Sequence, residues 1–244
     1  MASDIHGRTH RLELADATLR DWQATVLDAS EGGVVLDRSA FYPGGGGQPP
    51  DHGVLLWGGV QARVVGVHKG DDLVLQLADG DPVPTVGAAV QGAIEDERRS
   101  ALMRTHSALH LLAGVVWREF GALVTGGNME PLSGRLDFNL PEIPDGFRER
   151  MAEQCAVEVA ADRRIDVKVL PREAAFEIPD IIRTATNLLP PELTEVRIVD
   201  IVGLDAQADG GTHVASTRHI GDIEIVKVES KGKANRRMRV ALRQ

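Results

Sequence analysis

Short apolar runs alternate with turn residues over the first ninety positions. Val34–Leu36, Gly53–Trp57, Val60–Val67 and Leu73–Leu77 are rich in β-forming side chains. Between them stand Glu31-Gly-Gly, Gly58-Gly59, Lys69-Gly-Asp-Asp and Ala78-Asp-Gly-Asp-Pro. Short strands at this spacing predict a small barrel or sandwich. The texture changes at Ile94-Glu-Asp-Glu-Arg-Arg-Ser. From there to Phe120 there is no proline, and Gly114 is the only glycine. Leu102, Met103, His106, Leu109, His110 and Ala113 follow a helical repeat, which predicts one long, largely buried helix with acidic residues at its start. Beyond it, Leu136–Leu140 alternates as a strand, and Pro144-Asp145 opens a second amphipathic helix running to about Asp162. Strands are expected at Ile165–Leu170 and Val196–Ile201, with a short helix at Arg172–Glu177. Ile220–Val228 and Arg237–Leu242 read as paired strands joined by Ser-Lys-Gly-Lys-Ala-Asn. The expected fold class is α+β, with a small N-terminal β-barrel over residues 1–93 and a larger α+β domain over 94–244.

Composition narrows the class. With 43% hydrophobic and 26% charged residues, neither a disordered chain nor a fibre is indicated. Aromatic residues make up 4%, so the cores must rely on Val, Leu, Ile and Ala. The single cysteine, Cys155, excludes an internal disulfide framework and fits a reducing compartment. No apolar run reaches the length of a membrane span, and the first residues lack the apolar core of a signal peptide, so a cytoplasmic protein is expected. The net charge of −9 argues against a nucleic-acid partner until its distribution is considered. From Lys227 onward, seven basic residues face Glu229 alone, so the tail carries +6 and the rest −15. Such a strip can hold phosphates, although a solvated charged hairpin is the simpler reading of charge alone.

The candidate chemistry lies in two spaced pairs. His106 and His110 are four apart and share a face of the long helix. Asp209 and His213, in Asp-Gly-Gly-Thr-His, are also four apart, across a tight Gly-Gly turn. A lone histidine on an apolar face is usually a core residue, but two buried without partners cost desolvation. Three imidazoles and one carboxylate form a complete donor set for a tetrahedral divalent metal, most naturally zinc. A His-Glu-x-x-His protease is not indicated, because Ser107 and Ala108 follow His106. His6, His10, His52, His68 and His219 fall outside the set and read as surface or structural residues. Phe41-Tyr-Pro-Gly-Gly-Gly-Gly-Gln-Pro-Pro-Asp-His-Gly lacks the Lys-Ser/Thr ending of a P-loop. It is either a turn needing positive φ, or a flat backbone surface for a substrate beside the Gln48 amide.

These stretches, together with Val124-Thr-Gly-Gly-Asn, Arg135-Leu-Asp-Phe, Ile220-Gly-Asp-Ile and Lys231-Gly-Lys-Ala-Asn-Arg-Arg, occur in an order that resembles the AlaX proteins. These are free-standing relatives of the editing domain of alanyl-tRNA synthetase, and the chain is similar to the longer form with an N-terminal barrel. The resemblance implies hydrolysis of the ester linking a wrong amino acid, chiefly serine and sometimes glycine, to tRNA(Ala). It places zinc ligands, which also form the catalytic centre, at His106, His110 and His213. The fourth family ligand is a cysteine, and here Asp209 stands in its place. Aspartate preserves the ligand charge of −1 and forms bonds of about 2.0–2.2 Å to zinc, against about 2.3 Å for a thiolate. Asp205 is the nearby carboxylate that could substitute for it. The resemblance further implies that Thr125 lies in the amino-acid pocket, and that Gln48, Gly46 and Gly47 meet the tRNA end. Lys231, Lys233, Arg236 and Arg237 would hold acceptor-stem phosphates. Zinc in such a site either activates water or holds the substrate. Two rival readings remain: a non-catalytic tRNA-binding paralogue in which Asp209 marks metal loss, and a zinc hydrolase of another small ester.

Overall fold

The computed structural model describes residues 5–30, 33–187, 189–191 and 193–243. Glu31 and Gly32 of the expected Glu-Gly-Gly turn lie outside the described residues. The chain divides into two compact units, Met1–Ser100 and Ala101–Gln244.

The first unit runs β1 (Ile5–His6), β2 (Thr9–Arg11), β3 (Asp21–Ser30), β4 (Gly33–Leu36), β5 (Arg38–Ser39), β6 (Gly53–Trp57), β7 (Val60–Lys69), β8 (Leu73–Leu77) and β9 (Ala89–Ile94). Six of these close a barrel in the order β3-β4-β8-β7-β6-β9. Closure pairs every edge, which removes the exposed strand edges an open sheet would leave. Alternation sets the inward face: Trp22, Ala24 and Val26 of β3 point in, as do Ala62 and Val64 of β7 and Leu73 and Leu75 of β8. Apart from Ala62, these form one apolar core with Leu36, Leu55 and Val90. Each buried Leu or Val contributes about 1.5–3 kcal/mol by leaving water. The expected runs at Gly53–Trp57 and Leu73–Leu77 form strands with those ends. Strands β1, β2, β3, β5 and β9 lie outside the expected runs.

Helix α1 (Asp96–Phe120) begins with Asp96 and Glu97 and carries Arg118 in its last turn, so charge favours both ends of its dipole. There follow β10 (Val124–Glu130), β11 (Ser133–Phe138), α2 (Phe147–Ala160), β12 (Ile165–Pro171), α3 (Arg172–Phe176), β13 (Glu195–Ile201), β14 (Asp205–Ala208), β15 (Ile223–Ser230) and β16 (Arg236–Leu242). Two antiparallel sheets result, ordered β10-β11-β16-β15 and β12-β13-β14. Leu102, Leu109, Leu111, Leu112, Val115 and Val116 of α1 are buried, in one core with Leu136, Phe138, Met151, Met238 and Val240. The α+β class stands as read. Three element starts moved by three residues, for local reasons. Residues 217–220 form a 3-10 turn, so the hairpin strand starts at Ile223. Gly146, with φ +69°, caps α2, so Pro144 and Asp145 lie before the helix. Pairing of β11 with β10 and β16 covers Ser133–Phe138, not Leu136–Leu140.

Candidate metal centre

Helix α1 aims His106 and His110 at the loop that follows β14, and both side chains are buried. One ligand atom each from His106, His110, Asp209 and His213 can be chosen so that all lie within 4.8 Å of one another. Asp209 Oδ1 stands 3.7 Å from His106 Nε2 and 3.8 Å from His110 Nε2. Asp209 Oδ2 is 3.0 Å from His213 Nε2. A tetrahedral zinc with bonds of about 2.0–2.1 Å has ligand–ligand edges of about 3.3 Å. Asp209 thus lies within a few tenths of an ångström of that edge from each imidazole through one or other of its oxygens, and the widest pair of the set, within 4.8 Å, closes by up to about 1.5 Å when all four hold one ion.

Neighbouring groups orient this set. The Asp209 backbone is held on β13, where its N–H donates to the Arg197 carbonyl (3.1 Å) and its own carbonyl accepts from Arg197 Nη1 (3.0 Å). Gly211 N–H donates to Asp209 Oδ2 at 2.6 Å, which closes the Gly-Gly turn. Ser107 Oγ accepts Val214 N–H at 3.1 Å and lies 3.1 Å from His213 Nδ1. A proton on Nδ1 donates to Ser107 and leaves the Nε2 lone pair toward the centre, the usual support for a ligating histidine. In the sequence, the one sign of this role is that Ser107 stands between the two histidines of the helix, while its partners His213 and Val214 lie a hundred residues away.

The electrostatics suit a cation. Burial pushes His106 down to about 3, against the pull of the Asp209 carboxylate. Burial likewise pushes His110 and His213 down to about 4. All three imidazoles are thus neutral near pH 7. Burial acts to raise Asp209, but the surrounding His106, His213 and His110 prevail and hold it well below the usual carboxylate range. Three neutral nitrogens and one anion are the protonation states that a divalent metal requires.

Asp205 is not placed to replace Asp209. Its carboxylate is gripped by the Arg183 guanidinium through Nε (3.2 Å) and Nη2, and accepts Gln207 Nε2 at 2.6 Å. Arg183 in turn lies over the Trp117 ring, 4.5 Å from its centroid. Strand β14 approaches α1 closely here because Gly114 has no side chain. A Cβ at that position would come within 2.8 Å of Asp205 Cβ and 3.3 Å of Leu204 Cγ. Gly114→Ala should gain about 1 kcal/mol of helix propensity and lose about 1–3 kcal/mol to overpacking. The expected net result is a lower thermal midpoint and weaker retention of a divalent metal in a chelator competition, because the displaced strand leads directly to Asp209. A variant that is more stable and holds a metal as tightly would show that β14 is free to move.

Thr125 is exposed and sits at a β-bulge in β10, between the pairs Val124–Phe138 and Gly126–Asp137, with its hydroxyl 3.2 Å from Asn235 Oδ1. A bulge re-aims the side chain it carries. In the hairpin, Lys231 and Lys233 are exposed. Arg236 is committed to the carbonyls of Gly232, Asn235 and Pro141, and Arg237 makes two bonds of 2.7 Å to Asp137. In the first unit, Gly46 and Gly47, with φ +58° and +88°, form the tip of a turn closed by two bonds between the backbones of Gly45 and Gln48. This is the two-residue turn that needs positive φ at both central positions. The Gln48 side chain, expected to present its amide, is buried behind that tip. His6, His68 and His219 lie near Gly70 O, Gln76 Oε1 and Ser216 Oγ, outside the centre.

Residues 196–239, which contain Asp209 and His213, match the family described as the threonyl and alanyl tRNA synthetase second additional domain. Residues 13–98 match the class II (A) tRNA synthetases. The chain is 38% identical over 232 residues to the alanyl-tRNA editing protein AlaX-M of Saccharolobus solfataricus, covering 94% of this chain and 97% of that one. It is 37% identical over 245 residues to the AlaX-M protein of Methanosarcina mazei, covering 96% of each. An alanine–tRNA ligase of Pyrobaculum neutrophilum is 36% identical over 230 residues, which is 91% of this chain and 25% of the ligase.

Proposed function

Because the chain belongs to the AlaX-M family of alanyl-tRNA editing proteins, we propose that it is a zinc-dependent deacylase that hydrolyses the aminoacyl ester of mischarged tRNA(Ala). Seryl-tRNA(Ala) is its chief substrate and glycyl-tRNA(Ala) a second. The observation that carries this reading is the buried group of His106, His110, Asp209 and His213, with ligand atoms within 4.8 Å of one another. These four hold the metal. A zinc ion there supplies a Lewis acid beside the scissile ester.

The remaining work falls to the chain's own groups. Ser107 fixes the His213 ring, and Arg197 with Gly211 fixes Asp209, so two of the four donors are held before the ion binds. Thr125 offers its hydroxyl to the serine side chain from the bulge of β10. Alanine has no group to return that bond, and a polar site left unpaired by a substrate disfavours it strongly. Gly46 and Gly47, backed by Gln48, present flat backbone to the tRNA end. Lys231 and Lys233 meet phosphates, while Arg236 and Arg237 hold the hairpin in shape from within. Residues 94–244 form the editing domain and residues 1–93 the barrel domain that assists it. No described helix is long and apolar enough to cross a membrane, and we assign the protein to the cytoplasm, where tRNA is charged.

The direct test is deacylation of seryl-tRNA(Ala) and alanyl-tRNA(Ala) by the purified protein. Seryl-tRNA(Ala) should be cleaved faster by about a hundredfold or more. Equal rates, or no rate above buffer, would contradict the editing function. One observation favours a second reading, a metal-free tRNA-binding protein. The 3.0 Å contact between His213 Nε2 and Asp209 Oδ2 also serves as a hydrogen bond if the proton sits on Nε2. Metal content separates the two readings.

A further inference from the structure

The β10-β11-β16-β15 sheet buries one face and opens the other. Leu136, Phe138, Met238, Val240 and Ile225 belong to the core. On the opposite face the register brings cations into one row. Arg135 of β11 stands directly opposite Arg239 of β16, and Arg239 directly opposite Lys227 of β15. The β15 irregularity between Ile225 and Lys227 sets this alignment. Side chains of Lys227 and Arg239 are 62% and 47% exposed, and that of Arg135 is 28% exposed.

Like charges directly opposed across strands destabilise a sheet. Here two carboxylates serve four cations. Asp137 pairs with Arg135 (3.0 Å) and Arg237 (2.7 Å), and Glu229 pairs with Lys227 (3.0 Å) and Arg239 (2.8 Å). The surplus of positive charge sits on a protein whose net charge is −9. The face is also polarised. Two residues further from the hairpin turn, the row is Glu130, Ser133, Ala241 and Glu224, with Arg243 answering Glu224. Three cations on adjacent strands span about 10 Å, the axial length of about three phosphates of one nucleic-acid strand.

We propose that the open face of this sheet, along the row Lys227, Arg239 and Arg135, is a docking surface for the phosphodiester backbone of the tRNA. The proposal rests on the reading of tRNA as substrate and moves the main electrostatic contact from the hairpin turn to the sheet. Glu229 partly neutralises the row, so its charge opposes binding.

The test is equilibrium binding of uncharged tRNA(Ala) between low and moderate salt. The proteins are wild type, the double variant Lys227→Ala with Arg239→Ala, and Glu229→Gln. The double variant should bind about tenfold more weakly at low salt, with the slope of log affinity against log salt reduced by about two. Its kcat for deacylation should hold while KM rises, since neither residue belongs to the metal centre. Glu229→Gln should bind several-fold more tightly, and it decides the matter alone if the double variant does not fold. An unchanged salt slope, or a Glu229→Gln protein that binds no tighter, would overturn the docking surface and leave the editing reading standing. A wild-type protein that binds no tRNA would overturn both.

Discussion

Asp209→Ala should lose metal and deacylation together, while Asp209→Cys keeps both. Asp209 supplies the anion of the four-residue centre, and the three imidazoles beside it are neutral at pH 7. Removing it strips one ligand and the only compensating charge, which should weaken zinc binding by more than the roughly 10–100-fold cost of losing an outer-shell partner. Asp205 cannot move in to replace it without abandoning Arg183 and Gln207. Cysteine restores an anionic donor at the same distance along the chain. Zinc content by metal analysis and single-turnover deacylation, measured on one preparation of each variant, check the result. Stoichiometric zinc in Asp209→Ala would assign the centre to the three histidines alone.

Arg99→Ala should cost about 3–5 kcal/mol of stability, the scale for stranding one partner of a buried ion pair. Arg99 and Asp51 are both fully buried. The guanidinium bonds both Asp51 oxygens through Nε at 3.0 Å, the Ala17 carbonyl at 2.8 Å and the Ala40 carbonyl at 2.6 Å. Asp51 Oδ2 also accepts the Tyr42 N–H at 2.7 Å, so the same carboxylate anchors the base of the glycine turn. Alanine at position 99 leaves a carboxylate and two carbonyls without their donor. The double replacement Arg99→Met with Asp51→Leu removes both charges and should recover much of the loss. Urea unfolding of the three proteins checks this. A single variant within 1 kcal/mol of wild type, on the order of a surface substitution, would show that water reaches the pair.

The long helix was legible because its apolar positions repeat every three or four residues, and nothing between Asp96 and Phe120 breaks it. Strands β6 and β8 were legible from dense apolar runs flanked by turn residues. Strand β3 was not, because its inward residues Trp22, Ala24 and Val26 are separated by polar Gln23 and Thr25, and one of them is only a methyl group. The Val-Thr-Gly-Gly-Asn stretch of β10 has the composition of a loop and is extended because β11 pairs with it. Strand β14, Asp-Ala-Gln-Ala, has no β-branched residue. It is held by β13 and by the clamp of Arg183 on Asp205, contacts far apart in sequence. The same limit applied to the site. Spacing revealed the four candidate ligands, since His106 and His110 share a helix face and Asp209 and His213 flank one tight turn. The contact of Ser107 with His213 depends on a loop a hundred residues away. The charges of Arg236 and Arg237 were visible, but their partners Pro141 and Asp137 were not.

The most direct measurement is the rate of seryl-tRNA(Ala) deacylation as zinc is added back to chelator-stripped protein. The expected result is no activity in the stripped protein, a linear rise, and a plateau at about one zinc per chain, the stoichiometry of a single four-ligand site. Full activity in metal-free protein, or none at full occupancy, would contradict a zinc-dependent editing centre built on His106, His110, Asp209 and His213.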